Sequence, residues 1–139
     1  MNVTIAYFTS RVEPLFEFFC DSLANQVPEN ERGGVQVIAV DRHLWALTPE
    51  AGGRYFKRGD LVSLIDPTWM IEARLEKFKR AMNGRFDFLC LPPKPCMHQG
   101  PFRLTKRDYF VAGQARNTAV MAAKHPYFVG VDDLSVLLP

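Results

Sequence analysis

Four short runs of β-branched and aromatic residues recur along the chain, and the segments between them carry apolar residues at helical spacing. Val3 to Phe8 reads V-T-I-A-Y-F, Val35 to Val40 reads V-Q-V-I-A-V, Asp87 to Leu91 reads D-F-L-C-L, and Tyr127 to Val131 reads Y-F-V-G-V. Each has the length of a buried strand and is too short for a helix. After the first run, Thr9-Ser10-Arg11 breaks the pattern and Pro14 suits a helix's first turn. Leu15, Phe16, Phe19 and Leu23 then keep one apolar side up to Gln26. Asp66-Pro67 reads as an N-cap with a first-turn proline; Trp69, Ala73, Leu75, Phe78 and Met82 follow, and Asn83-Gly84 ends that helix. A third helix is expected from about Asp108 to Lys124, stopped by His125-Pro126. Pro28 to Gly34 is turn-rich, while Pro49, Gly52-Gly53 and Gly59 predict loops, with room for short strands, between His43 and Asp60. Strands that alternate with helices do not pair as hairpins. The order calls for an α/β fold, a mostly parallel sheet with helices on both faces.

Composition agrees with one such unit. The 139 residues suffice for one domain, and no repeat, low-complexity tract or linker divides residues 1–139. Hydrophobic residues at 47% against charged residues at 23% exclude a disordered chain. No stretch approaches the ~18–20 apolar residues of a membrane span. Glu13, Glu17 and Asp21 interrupt the longest apolar run near the start, so no transmembrane or secretory segment is expected. The net charge of +2 is too small for wholesale nucleic-acid binding. Cys20, Cys90 and Cys96 leave one cysteine over in any disulfide scheme, which points to a reducing, cytoplasmic setting. Cys90, Cys96 and His98 fit no common zinc spacing and lack a fourth ligand.

In open α/β sheets, ligands bind beyond the carboxyl ends of the strands. Three polar clusters fall there: Thr9-Ser10-Arg11, Asp41-Arg42 and Asp132-Asp133. The adjacent carboxylates of Asp132 and Asp133 repel each other unless a cation or water relieves them. Hard divalent ions such as Mg²⁺ or Mn²⁺ take oxygen ligands of this kind and bridge to substrate phosphates, although Asp also marks turns and caps. Arg116 and Asn117 lie in the helix before the fourth strand; a guanidinium grips phosphate oxygens in bidentate fashion, but an arginine on an exposed helix face is also ordinary. Lys94, Arg103, Lys106, Arg107 and Arg116 stand against Asp108 alone between residues 94 and 116, a local basic excess that fits an anionic ligand or a solvated loop. No phosphate loop of the G-x-x-x-x-G-K-[ST] type, no G-x-G-x-x-G and no G-x-S-x-G elbow occurs.

The string A-R-N-T-A-V-M-A-A-K-H-P-Y-F-V-G-V-D-D-L resembles the core of GT-A glycosyltransferases of the family-two type, in which an R-N helix leads to a strand and an aspartate motif written D-x-D. The opening V-T-I-A-Y-F-T-S-R and the helix ending D-S-L-A-N-Q are similar as well, and only residues 43–66 are poorly covered. The resemblance implies a three-layer Rossmann-like GT-A sheet and a nucleotide-diphosphate-sugar donor site. Thr9 and Arg11 would lie beside base and ribose, Asp41 on the base or ribose, and Arg116 and Asn117 on the ribose or diphosphate. Asp132 and Asp133 would together meet the ribose and a Mn²⁺ or Mg²⁺ ion, both as candidate metal ligands with Asp133 the direct one, and V-D-D-L, departing from a strict D-x-D, leaves the division between them open. Lys94, Gln99 and Arg103 fall in a segment similar to a donor-side loop, which is equally readable as an ordered connection. The implied reaction is transfer of the sugar to an acceptor hydroxyl, of a saccharide or, from the basic segment, a nucleic acid. In such enzymes the general base and acceptor elements follow the aspartate motif, so no base is assigned, and the expectation is a donor-binding domain lacking its acceptor part. A sugar nucleotidyltransferase and a non-catalytic nucleotide- or partner-binding fragment are the alternative readings.

Overall fold

The computed structural model describes residues 2–11, 13–46, 67–93 and 112–133. The four strands are β1 (Val3–Thr9), β2 (Val35–Asp41), β3 (Asp87–Leu91) and β4 (Tyr127–Asp132), and the helices are α1 (Phe16–Gln26), α2 (Arg42–Ala46), α3 (Pro67–Met82) and α4 (Ala112–Ala122). The strands form one sheet in the order β3-β2-β1-β4. Every pairing is parallel. β1 and β2 are buried along their whole length, because each is flanked by a strand on both edges and by helices above and below.

Alternation along the strands sorts side chains between two cores. On one face Val3, Ile5, Tyr7, Val35, Val37 and Ala39 meet Phe16, Phe19, Cys20 and Leu23 of α1 and Phe78 and Met82 of α3. Aromatic rings fill this layer, with Phe16 edge-on to Tyr7 at 5.0 Å and to Phe78 at 4.8 Å between ring centres. On the other face Ala6, Phe8, Ile38 and Val40 meet Ala115 and Ala119 of α4. The Phe8 ring lies over Gly130, where a Cβ would come within 3.0 Å of it. A residue with a side chain at position 130 would force that ring to shift.

Polar groups set the ends of the helices. The Gln36 amide carbonyl accepts from Thr4 Oγ1 and from the Lys124 backbone N–H, both at 2.9 Å, while the His125 N–H donates to Thr4 Oγ1 at 3.3 Å. These bonds fasten the carboxyl end of α4 to the amino end of the sheet, so its amino end lies at the strands' carboxyl edge. Arg32, from a 3-10 helix over Glu29–Gly34, reaches back to the carbonyls of Ala24 and Val27, and Arg85 likewise reaches those of Ala81 and Met82. Both arginines satisfy last-turn acceptors that α1 and α3 leave unpaired. Asn83 and Gly84 adopt left-handed backbone (φ 50° and 67°), the turn expected after α3.

The expected fold class is therefore present, with three differences in detail. α1 begins at Phe16 rather than at Pro14, with Leu15 as its cap residue. Residues after Asp41 turn directly into the short helix α2 instead of a loop. The turn-rich stretch before β2 coils into a 3-10 helix.

Candidate functional site

Parallel register brings the polar strand ends level. Thr9 stands beside Asp41 across β1 and β2, and Phe8 beside Asp132 across β1 and β4. Asp133, one residue further, therefore comes opposite Thr9. The strand order reverses between β1 and β4, with α1 and α3 on one face and α4 on the other, and such a switch point opens a crevice at the carboxyl edge.

Asp133 is almost wholly buried at this edge, where three hydrogen-bond donors and the guanidinium of Arg11 surround it. Oδ1 accepts from the Tyr7 hydroxyl and, at 3.1 Å, from the Leu15 backbone N–H. Oδ2 accepts from Thr9 Oγ1 at 2.9 Å and lies 3.1 Å from Arg11 Nε. Leu15 offers no side-chain cap to α1, so a carboxylate 118 positions away supplies the reciprocal half of a capping box. The positive end of the helix dipole favours the charge placed there. Burial first, and then the hydrogen bond to Asp133, raises the Tyr7 hydroxyl well above the ordinary phenol range, which keeps it protonated as a donor.

A second buried carboxylate lies on the β2 side. Asp41 is fully buried, and Arg74 from α3 grips it through Nε on Oδ2 and Nη2 on Oδ1 at 3.0 Å. The His43 N–H also donates to Asp41 Oδ1, at 3.0 Å, and this bond starts α2. Arg74 Nη2 donates in addition to the Arg11 carbonyl at 2.7 Å, and His43 Nε2 lies 3.1 Å from the Ser10 carbonyl. A carbonyl only accepts, so the neutral ring carries its proton on Nε2. Burial, then the neighbouring Arg74, holds the His43 pKa below its ordinary value. The segment after β1 is thus tied to α2, to α3 and to Asp133 after β4 at once. A separate cleft of about 720 Å³ opens between α1 and α3, lined by Glu13, Leu15, Phe16, Arg74, Lys77 and Phe78 among others, with Lys77 ion-paired to Glu13 at its edge.

Of the residues singled out from sequence, Thr9, Arg11, Asp41 and Asp133 come together at the strand ends. The hydroxyl of Thr9 is buried and engaged on both sides, donating to Asp133 and accepting from the Arg11 N–H at 3.2 Å. Asp132 is exposed and faces the α4 side, since Val131 before it points into the α1 core. Arg116 and Asn117 are exposed on α4, and neither is bonded to the Asp41 or Asp133 clusters. Lys94, Gln99 and Arg103 lie outside the described residues. Arg74 and Tyr7 complete the site and escaped the sequence reading. Arg74 had a signal: it lies four positions before Phe78 and eight before Met82, a cation on the apolar stripe of α3 that calls for a buried acid.

The arrangement does not suit a divalent ion. The oxygens of Asp133 are engaged by three hydrogen bonds and the Arg11 ion pair, and the carboxylates of Asp132 and Asp133 diverge to opposite faces. Among the described residues no group of three His, Cys, Asp or Glu side chains is placed to hold a metal.

Fold and crevice together define a doubly wound, three-layer α/β domain of Rossmann-like strand order. Comparison with protein-family models, with curated proteins and with solved structures found no match.

Proposed function

We propose that the chain binds a nucleotide-diphosphate sugar at the carboxyl edge of its sheet and serves as the donor-binding domain in glycosyl transfer. One observation carries this reading: at the carboxyl edge of the sheet, beside the β1/β4 switch point where folds of this order take ligands, stand the part-exposed guanidinium of Arg11 and the exposed carboxylate of Asp132. A diphosphate needs the first and a ribose or sugar hydroxyl the second. In the reaction, an acceptor hydroxyl attacks the anomeric carbon and the nucleoside diphosphate leaves with the bonding electron pair. The chain's part is to hold that diphosphate still and offset its growing charge. Asp41 and Arg74 make the wall on the β2 side and keep the segment after β1 in place. Among the described residues no helix is long and apolar enough to cross a membrane, and we place the protein in a reducing, cytoplasmic compartment, where the described cysteines Cys20 and Cys90 stay as free thiols.

Isothermal titration with nucleoside diphosphates of the four common bases, and with their sugar conjugates, tests the reading. Saturable binding that prefers one base and is weakened by Asp132→Asn is the expected result. Absence of binding to every nucleotide would overturn it.

A further inference from the structure

Arg11 is held at three points. Its N–H donates to Thr9 Oγ1 at 3.2 Å, its carbonyl accepts from Arg74 Nη2 at 2.7 Å, and its Nε is 3.1 Å from Asp133 Oδ2. Each anchor is itself bonded elsewhere, the buried Thr9 and Asp133 to one another and the partly buried Arg74 to Asp41. Two of the three anchors fix the backbone, and the third uses the guanidinium nitrogen nearest the stem. The two terminal nitrogens have no partner among the described residues, and the side chain is 45% exposed at the mouth of the crevice. Most exposed arginines lose side-chain freedom when they take a ligand. This one has lost much of it already, and its outer edge is the part that matches two phosphate oxygens.

We propose that Arg11, oriented by Asp133, is the diphosphate-binding group of this site, and that Asp133 acts as a positioning residue for it rather than as a metal ligand. Ligand binding is then independent of divalent cations. This inference rests on the reading of the crevice as a diphosphate site and makes a different claim about how the charge is met. Asp133 and Arg11 cancel each other's charge, and the terminal nitrogens of Arg11 are the edge of the pair that faces outward. A cation seated on Asp133 has to displace both Arg11 and the cap of α1.

The test is a titration of the full chain with inorganic pyrophosphate, once in EDTA and once with Mn²⁺, for the parent, Arg11→Ala and Arg11→Lys. Pyrophosphate is expected to bind equally in both buffers. Arg11→Ala weakens it about ten- to a hundred-fold, the loss of a charge-assisted pair of hydrogen bonds, and Arg11→Lys, which keeps charge without the fork, recovers part. Circular dichroism and melting of each variant establish that it is folded, and if Arg11→Ala is not, the comparison is made with Arg11→Lys. Binding that needs Mn²⁺, binding indifferent to both Arg11 variants, or no binding of pyrophosphate overturns the proposal. Parallel titration with nucleoside diphosphates separates the two readings. Pyrophosphate binding through Arg11 with no nucleotide preference removes the donor-site reading and leaves this one standing. Nucleotide binding that is Mn²⁺-dependent and insensitive to Arg11 does the reverse.

Discussion

Replacing Arg74 by Met removes the guanidinium from a carboxylate that has no access to solvent. The Asp41 side chain is 0% exposed and that of Arg74 13%, so the pair counts as buried and water does little to screen it. Taking one partner from a buried ion pair costs about 3–5 kcal/mol, because the remaining charge is stranded. Asp41 keeps one donor, the His43 N–H, which leaves the lower half of that range as the expectation. The Arg11 carbonyl loses a donor and Phe78 a cation 5.8 Å from its ring centre, each worth up to about 1 kcal/mol. Met fills most of the vacated stem volume, so little of the cost is a cavity. For a domain of this size a loss of about 3–4 kcal/mol lowers the melting temperature by roughly 10–15 °C. Urea unfolding followed by circular dichroism measures it, and a cycle with Asp41→Asn isolates the pair. The expected coupling is about 2 kcal/mol or more. A cost of Arg74→Met below about 1 kcal/mol, the range of surface pairs, would refute the assignment of a buried pair.

Three further outcomes follow from the same structure. Gln36→Leu leaves the Lys124 N–H and the Thr4 hydroxyl without their shared acceptor beneath α4, and urea unfolding is expected to show a loss of about 1–3 kcal/mol, against near neutrality for exposed Met121→Gln. The folded-state pKa of His43 is below the 6.5 of the unfolded chain, so the unfolded state takes up the proton first; stability is fully present above pH 6.5 and declines as pH falls through it, and a pH series of unfolding curves should lose that part of its slope in His43→Asn. Burial pushes both Cys20 and Cys90 up to about 12, which leaves little thiolate at pH 8; iodoacetamide labelling read by peptide mass should spare both in the native protein and modify both in urea.

The elements were legible because each rests on local pattern. Val3–Thr9 and Val35–Asp41 carry mostly apolar runs of the kind that doubly covered parallel strands tolerate, and Asn83-Gly84 marks the end of α3 by backbone chemistry. Residue types at the strand ends were legible for the same reason, since Thr9, Arg11, Asp41 and Asp133 all follow an apolar run. What their side chains do was not. Asp41 meets Arg74 from 33 positions away, and Asp133 meets Leu15 from 118, distances set by parallel register and by where α1 and α3 pack. Motif spacing alone treats Asp132-Asp133 as one dicarboxylate, whereas strand alternation sends the two to opposite faces. The count of donors then separates their chemistry. Asp133, bonded to two hydroxyls and an N–H and paired with a guanidinium, is spent on anchoring β1, the cap of α1 and Arg11. Asp132 lies exposed on the other side of the strand end. An aspartate at the end of a parallel strand is therefore either a ligand group or an anchor, and the number of protein donors it already holds decides which.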